Sequence, residues 1–295
     1  MWHAEYIAVD WGTTNRRAWR IDNNARVTGA YEDDMGLMAV PPGGFDLAAA
    51  DIRRHLGDHP MLLAGMVGSD KGWRHAGYVP CPADANSLAA SVLWIEPNRT
   101  GIIPGVCQTA GHPDVMRGEE VQVFGAQSIA ALAPNAVICH PGTHSKWIQL
   151  QDGKISRFHT AMTGEIFNLL KNQSILADQM TGEVSDNAAF KTGLKDARAG
   201  ISLLSGLFAV RARHLLQSLP VADASYASGL LIGSDVSTAL NQLSAGTQIT
   251  LIGRPDLCQL YASAISAAGC TCRNIDGSEA FRAGIKAIIS CFGKD

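Results

Sequence analysis

The chain has 295 residues, 46% of them hydrophobic and 17% charged, with a formal net charge of -3. That length leaves room for about two domains with ample core, and Lys and Arg are not clustered, which removes the electrostatic footprint of a nucleic-acid surface. Glu5 and Asp10 stand where a signal peptide needs a basic head and an unbroken apolar run, and Asn241, Gln242, Ser244 and Gly246 break the charge-free stretch 237–253, so a soluble cytoplasmic protein with no membrane span is expected.

Tyr6 to Ile21 reads YIAVDWGTTNRRAWRI: an apolar strand ending in Asp10, the polar turn Gly12-Thr13-Thr14-Asn15, and a second strand. Asp22-Asn23 then forms a tight turn before a third strand at Ala25-Arg26-Val27. Thr hydroxyls and exposed backbone N–H groups in such a turn suit phosphate oxygens, the Asp10 carboxylate suits hydrated Mg2+, and Arg17 suits phosphate charge. Taken alone, the segment is equally an ordinary hairpin with a solvated Asp. Aligned on Gly12 and Gly142, however, Cys139 to Leu150 (CHPGTHSKWIQL) repeats the pattern, with Asp152-Gly153 as its tight turn and Ile155-Ser156-Arg157 as its third strand. The repeat favours the phosphate reading for both turns, the second being Gly142-Thr143-His144-Ser145.

Between the two copies, Asp46–His55 has helical spacing with Leu47, Ala50 and Ile52 inward, and 61–64 is a buried strand. The long loop after it, GMVGSDKGWRHAGYVPCPA, mixes aromatic and small residues and reads as a substrate-lining segment that includes Ser69, Trp73 and Arg74. A second loop covers 102–113. Glu119 and Glu120 then open a helix carrying Val121, Phe124, Ser128 and Leu132, where they either complement the helix dipole or face a site.

Beyond the second copy, a helix runs through Leu169-Leu170. Residues 199–219 form a longer helix with Leu203, Leu207, Val210 and His214 on one face, Arg211 and Arg213 solvated, and Pro220 as its stop. Residues 228–234 read as a strand or helix end closed by Gly229 and Gly233. Residues 250–253 are a strand, and Pro255 opens a helix with Leu257, Leu260, Tyr261, Ala264 and Ile265 inward, stopped by Gly269. Gly253 at that junction would let a ligand such as an adenine ring approach the backbone. Residues 278–292 close the chain as an amphipathic helix with Phe281, Ile285, Ile288 and Ile289 inward. The seven scattered cysteines read as reduced, buried small hydrophobes. His140 and His144 have zinc-helix spacing, but Pro141 and Gly142 would break that helix.

With both turns and the Ile-Gly-x-Pro junction in view, the chain resembles the actin, sugar kinase and Hsp70 superfamily. DWGTTNRRAW, GSDKGW, the Cys-Pro-Ala of YVPCPA, MRGEEVQVFGA and HPGTHSKW together resemble the 2-dehydro-3-deoxygalactonokinase family over essentially the whole chain. The resemblance implies an α/β fold of two ribonuclease-H-like lobes with a central interdomain cleft. The N-terminal lobe would be 1–117 and the C-terminal lobe 118–277, with helix 278–295 packing back on the first. It implies ATP and Mg2+ as cofactors and phosphorylation of the 6-hydroxyl of 2-dehydro-3-deoxy-D-galactonate. The alternatives are a kinase for another sugar or sugar acid and an actin-like phosphohydrolase.

Carried onto this sequence, Asp10 (also the Mg2+ residue), Gly12, Thr13, Thr14, Asn15 and Arg17 form the first phosphate segment, and Gly142, Thr143, His144 and Ser145 the second. Gly233 and Gly253 would meet the adenosine. Related kinases place a Gly-Asp pair as the base, where this chain has Gly118-Glu119-Glu120, and spacing favours Glu120 over Glu119. Ser69, Trp73, Arg117 and Lys146 are the expected substrate residues, with Arg117, Arg74 and Lys146 unranked as the carboxylate-binding cation. The oligomeric state stays open, a homodimer being one option.

Overall fold

A computed structural model of the chain describes residues 2, 4–129, 131–216, 223–244 and 246–293. Its strands and helices run in the order β1 (Tyr6–Trp11), β2 (Arg16–Ile21), β3 (Val27–Asp33), α1 (Phe45–Leu56), β4 (Met61–Gly65), β5 (Tyr78–Pro80), α2 (Ala85–Ala90), β6 (Leu93–Glu96), β7 (Thr100–Ile102), β8 (Gly105–Gln108), β9 (Asp114–Met116) and α3 (Glu119–Ser128). There follow β10 (Ala136–His140), β11 (Ser145–Gln151), β12 (Lys154–Ala161), α4 (Thr163–Gln173), α5 (Ala188–Arg198), α6 (Leu203–Leu215), α7 (Ala224–Leu240), β13 (Ile249–Gly253), α8 (Pro255–Ala267), β14 (Cys272–Asp276) and α9 (Gly277–Ile289). The chain divides into two compact units, Met1–Asn135 with Gln149–Phe158 and Gly277–Asp295, and Ala136–Ile148 with His159–Asp276.

The repeat read from the sequence is a repeat of sheet topology. A six-stranded sheet has the order β3-β2-β1-β4-β7-β6 and a five-stranded one the order β12-β11-β10-β13-β14, so each hairpin-bearing edge continues through its first strand into a parallel crossover. The fold is mixed α/β. A three-stranded sheet, β5-β8-β9, lies within the first unit. β5 and β8 occupy stretches expected to be loops, because Gly77, Pro80 and Gly105 punctuate runs of only three or four residues.

Small residues set the helix packing. A Cβ on Gly125 of α3 would lie 1.7 Å from the Ala280 carbonyl, and one on Gly284 of α9 would lie 1.9 Å from the Val121 carbonyl. These glycines therefore let α3 and α9 touch backbone to backbone, and α3 belongs to the first unit, whereas the expected boundary at 117/118 separates it from that unit. The second unit uses the same device between α5 and α7, where Cβ atoms on Gly193 and Gly229 would each come within 2.2 Å of a carbonyl on the opposing helix.

Several expectations are corrected in the helices. On α1 the inward residues are Ala48, Ala49, Ile52 and Leu56, while Leu47 is 77% exposed and Ala50 is exposed. The helix expected from Ala199 starts at Leu203, its His214 is exposed, and Pro220 lies outside the described residues. Arg213 is not simply solvated: it pairs with Asp196 at 3.2 Å and lies 4.6 Å from the centre of the Tyr226 ring. Gly229 and Gly233, expected at an element end, sit mid-helix in α7.

Arg16 organises the first sheet edge. It is 1% exposed and donates to Asp33 at 2.9 and 2.7 Å, to Asp51 at 2.8 Å and to the Ala48 carbonyl at 2.5 Å, tying the hairpin to α1. Burial alone would raise the Asp33 pKa, but the hydrogen bonds from Arg16, Tyr31 and the Met35 amide outweigh it and lower the value. Arg16→Met strands two carboxylates and is expected to cost about 3 kcal/mol. Thermal unfolding should then fall by roughly 6 to 12 °C; an unchanged melting curve would mean that water replaces the guanidinium.

Candidate active site

In the first unit, Asp10 is the penultimate residue of β1, in register with Arg17 of β2 and Ala64 of β4. Arg17 pairs with it at 2.5 Å and also donates to the Ser278 hydroxyl at 3.2 Å. The turn that follows is closed by the Gly12 amide donating to the Asn15 carbonyl at 2.9 Å. The carbonyls of Gly12, Thr13 and Thr14 accept from the amides of Leu37, Met38 and Gly36. Its carbonyls thus point to one neighbour, while Thr13 and Thr14 are exposed and, among the described residues, their backbone N–H groups have no acceptor. Such a turn presents donors to an anion.

Two glycines bring the start of α3 to the same place. A Cβ on Gly65, at the end of β4, would lie 3.5 Å from Asp10 Oδ1, and one on Gly118 would lie 3.4 Å from Gly65 Cα. Gly118 has φ +108, a conformation that side chains resist, and its amide is shared by both carboxylate oxygens of Glu120 at 2.8 Å. Access favours Glu119 over Glu120, the reverse of the order expected from spacing: Glu120 is 0% exposed, whereas Glu119 is partly exposed and accepts from the Arg117 amide at 3.0 Å. Burial, then the charge of Glu119, pushes the Glu120 pKa up to about 8 against the opposing Gly118 amide and Arg117 charge.

Arg117 lies over the Tyr78 ring at 4.4 Å and donates Nη2 to the Gly77 carbonyl at 2.9 Å. Its Nε and Nη1 are buried without a hydrogen-bond partner, so this cation has donor capacity that the described protein groups do not use. In the expected substrate loop, Ser69 Oγ donates to the Met66 carbonyl at 2.7 Å, the Trp73 amide donates to the Val67 carbonyl at 2.8 Å, and the Trp73 ring packs on the core of the first unit. Arg74 is exposed.

The second turn is held differently. The Glu165 amide donates to the Thr143 carbonyl at 2.9 Å, and the His144 ring pairs with the Glu165 carboxylate. Ser145 is fully buried, with Oγ 2.7 Å from the Tyr261 hydroxyl and 3.5 Å from the Gly142 amide. Lys146 is 5% exposed and donates to Thr160 Oγ1 at 2.8 Å, which commits it to the β11–β12 hairpin. Gly253 ends β13 at φ +153, and a Cβ there would lie 3.5 Å from the Pro141 carbonyl, so the strand-to-helix junction and the second turn meet. Gly233 does not join them: a Cβ there would meet the Ala197 Cβ at 2.8 Å, so it is a helix-packing residue between α7 and α5.

Asp235, absent from the sequence expectations, is 8% exposed in α7 and accepts from Trp147 at 2.9 Å, Tyr261 at 2.6 Å and Thr163 at 3.0 Å. The available signal was a lone carboxylate within the apolar run GLLIGSDV. Among the described residues no helix is long and apolar enough to cross a membrane.

The profile of the 2-keto-3-deoxy-galactonokinase family matches residues 10–288. The 2-dehydro-3-deoxygalactonokinase of Escherichia coli (strain K12) is 36% identical over 291 residues, 97% of each chain. The probable 2-dehydro-3-deoxygalactonokinase of Rhizobium meliloti (strain 1021) is 36% identical over 296 residues, 96% of this chain and 95% of that one. A crystal structure from Sinorhizobium meliloti, provisionally described as a 2-dehydro-3-deoxygalactonokinase, superposes with a TM-score of 0.90 at 32% identity, covering 98% of this chain and 100% of that one. A solved structure from Porphyromonas gingivalis, provisionally described as an N-acetylglucosamine kinase, matches with a TM-score of 0.50 at 14% identity over 97% and 99% of the two chains, a likeness of fold alone. A family profile spanning nearly the whole chain, with full-length relatives above a third identical, leads to one conclusion: the chain belongs to the 2-keto-3-deoxy-galactonokinase family.

Proposed function

We propose that this chain is an ATP-dependent kinase that phosphorylates the 6-hydroxyl of 2-dehydro-3-deoxy-D-galactonate. Full-length similarity to two curated kinases of that name supports the substrate class. The observation that carries the chemistry is the adjacency of Asp10, Gly65 and Gly118, which gathers a phosphate turn, a carboxylate and an α3 start bearing Glu119 within one unit.

The residues fit the groups this reaction needs. The amides of Thr13 and Thr14, which have no acceptor among the described residues, suit phosphate oxygens, and Asp10 would hold Mg2+, which takes one or two carboxylates beside phosphate and water oxygens. Bound there, Mg2+ would neutralise charge on the phosphates. Arg17 keeps a cation beside that carboxylate, so the site stays close to neutral before nucleotide arrives. Glu119 is the group we assign to accept the proton of the acceptor hydroxyl. Arg117 ranks first for the substrate carboxylate because its guanidinium has unused donors, whereas Lys146 is engaged with Thr160. Within the second unit, the Gly142–Ser145 turn suits phosphate and the Gly253 junction suits an adenine ring.

ADP release against a panel of sugar acids and neutral sugars tests the reading. Turnover with 2-dehydro-3-deoxy-D-galactonate far above the others is the expected result. A preference for a neutral hexose would remove the carboxylate role of Arg117, and ADP release without any acceptor would point to a phosphohydrolase.

For the nucleotide side, Gly253→Leu should raise the ATP KM by about tenfold or more, the equivalent of one lost contact of 1.4 kcal/mol. The KM for the sugar acid should stay within about twofold, because a side chain beside Pro141 obstructs only the nucleotide approach. Equal shifts in both constants would take Gly253 out of the nucleotide site.

A further inference from the structure

Three segments of the second unit converge on Asp235. Trp147 lies two residues beyond Ser145 on β11, Thr163 is the first residue of α4, and Tyr261 is on α8. The Trp147 indole is a donor only, and the Tyr261 and Thr163 hydroxyls both donate to one Asp235 oxygen, so the directions of these bonds are set. Tyr261 spends its single proton on Asp235 at 2.6 Å, which leaves its oxygen to accept. Ser145 is therefore the donor in the 2.7 Å contact with Tyr261, and its lone pairs are left for the Gly142 amide at 3.5 Å. On the other flank, Thr163 fixes the start of α4. There the Glu165 amide holds the Thr143 carbonyl, and Gly164 packs so closely that a Cβ on it would lie 2.6 Å from the Gly142 carbonyl.

We infer that Asp235 is a positioning residue that orients the Gly142–Ser145 turn from both flanks, through Tyr261–Ser145 on one side and Thr163 on the other. Burial penalises the Asp235 charge, raising the pKa, and the hydrogen bonds from Tyr261, Trp147 and Thr163 oppose that cost. A carboxylate kept in an apolar helix, with its partners either flanking the turn or bonded to it, serves orientation, since an apolar residue would fill the same space without desolvation. The functional half of the inference rests on the kinase reading, in which this turn holds phosphate.

Asp235→Asn keeps the shape but reverses the directions. Its amide nitrogen must donate to Tyr261 or Thr163, and Tyr261 is then released to donate toward Ser145. Tyr261→Phe cuts the chain while keeping the ring in the core. Hydrogen exchange of peptides covering 140–146 should quicken by about tenfold in both variants, and that of 163–165 in Asp235→Asn, with the rest of the second unit unchanged. The ATP KM should rise by about tenfold while the sugar-acid KM stays within about twofold. Unchanged exchange in both variants, or exchange quickened uniformly through the unit, overturns the positioning role. Local quickening with equal shifts in both Michaelis constants overturns its link to phosphate. Failure of the kinase reading itself would appear separately, as a wild-type protein that releases no ADP with any acceptor, and the exchange measurement would still decide the positioning role.

Discussion

Asp10→Asn is expected to lower kcat on the order of a hundredfold to a thousandfold, the usual cost of removing one oriented charge from a site where charge develops. The fold should survive. Asp10 and Arg17 are 17% and 35% exposed in their side chains, and a partly solvated pair of this kind contributes no more than about 1 kcal/mol. Asparagine also retains a carbonyl oxygen for the Arg17 guanidinium, so the β1–β2 hairpin keeps its cross-strand contact.

ATP affinity separates the metal role from a structural one. Replacing Asp10 removes a negative charge beside the exposed Thr13 and Thr14 amides, so binding of free ATP should hold or improve while the Mg2+ dependence of turnover weakens. A purified Asp10→Asn protein with near-native turnover and an unchanged Mg2+ requirement would return Asp10 to the role of a turn-capping carboxylate.

The duplicated hairpins were legible because each combines period-two alternation with a Gly-Thr turn and a tight second turn, and the sheets reproduce that order. Helices α8 and α9 were legible from Pro255, Gly269 and one-sided apolar spacing. What escaped has physical causes. Helix α7 is buried from Ala224 through Gly233, so it has no polar face to reveal a period, and its glycines read as punctuation when they are contact surfaces against α5. On α1, Leu47 misled the phase, because two alanines, Ala48 and Ala49, face inward while Leu47 is exposed.

Within the site, residue types and turn positions could be read, but which side chains were already committed could not. Arg16 and Arg17 differ in burial and partners rather than in chemistry. Asp235 and Tyr261 are 26 residues apart in sequence, and no spacing rule links them.

The pair at the start of α3 gives the sharpest contrast. Glu119 is partly exposed beside Arg117, and Glu120 is wholly buried, as expected for neighbours whose side chains diverge by about 100° around a helix. With its pKa pushed up to about 8, Glu120 is mostly protonated at neutral pH and cannot accept the proton of a hydroxyl. Glu119→Gln should therefore lose about a hundredfold to ten-thousandfold in kcat with ATP binding intact, whereas Glu120→Gln should keep turnover within a few-fold. Stability supplies an independent reading of Glu120. Its folded pKa lies above the unfolded value of about 4.3, so its contribution is complete below that pH and is lost as the pH climbs through about 8. Glutamine has no such loss. The stability of Glu120→Gln relative to wild type should rise across this window, by at most about 1.4 kcal/mol per pH unit. Denaturant unfolding at pH 5, 6, 7 and 8 measures the difference. A difference that stays flat, together with a Glu120→Gln protein that is catalytically dead, would show Glu120 ionised and restore it as the base.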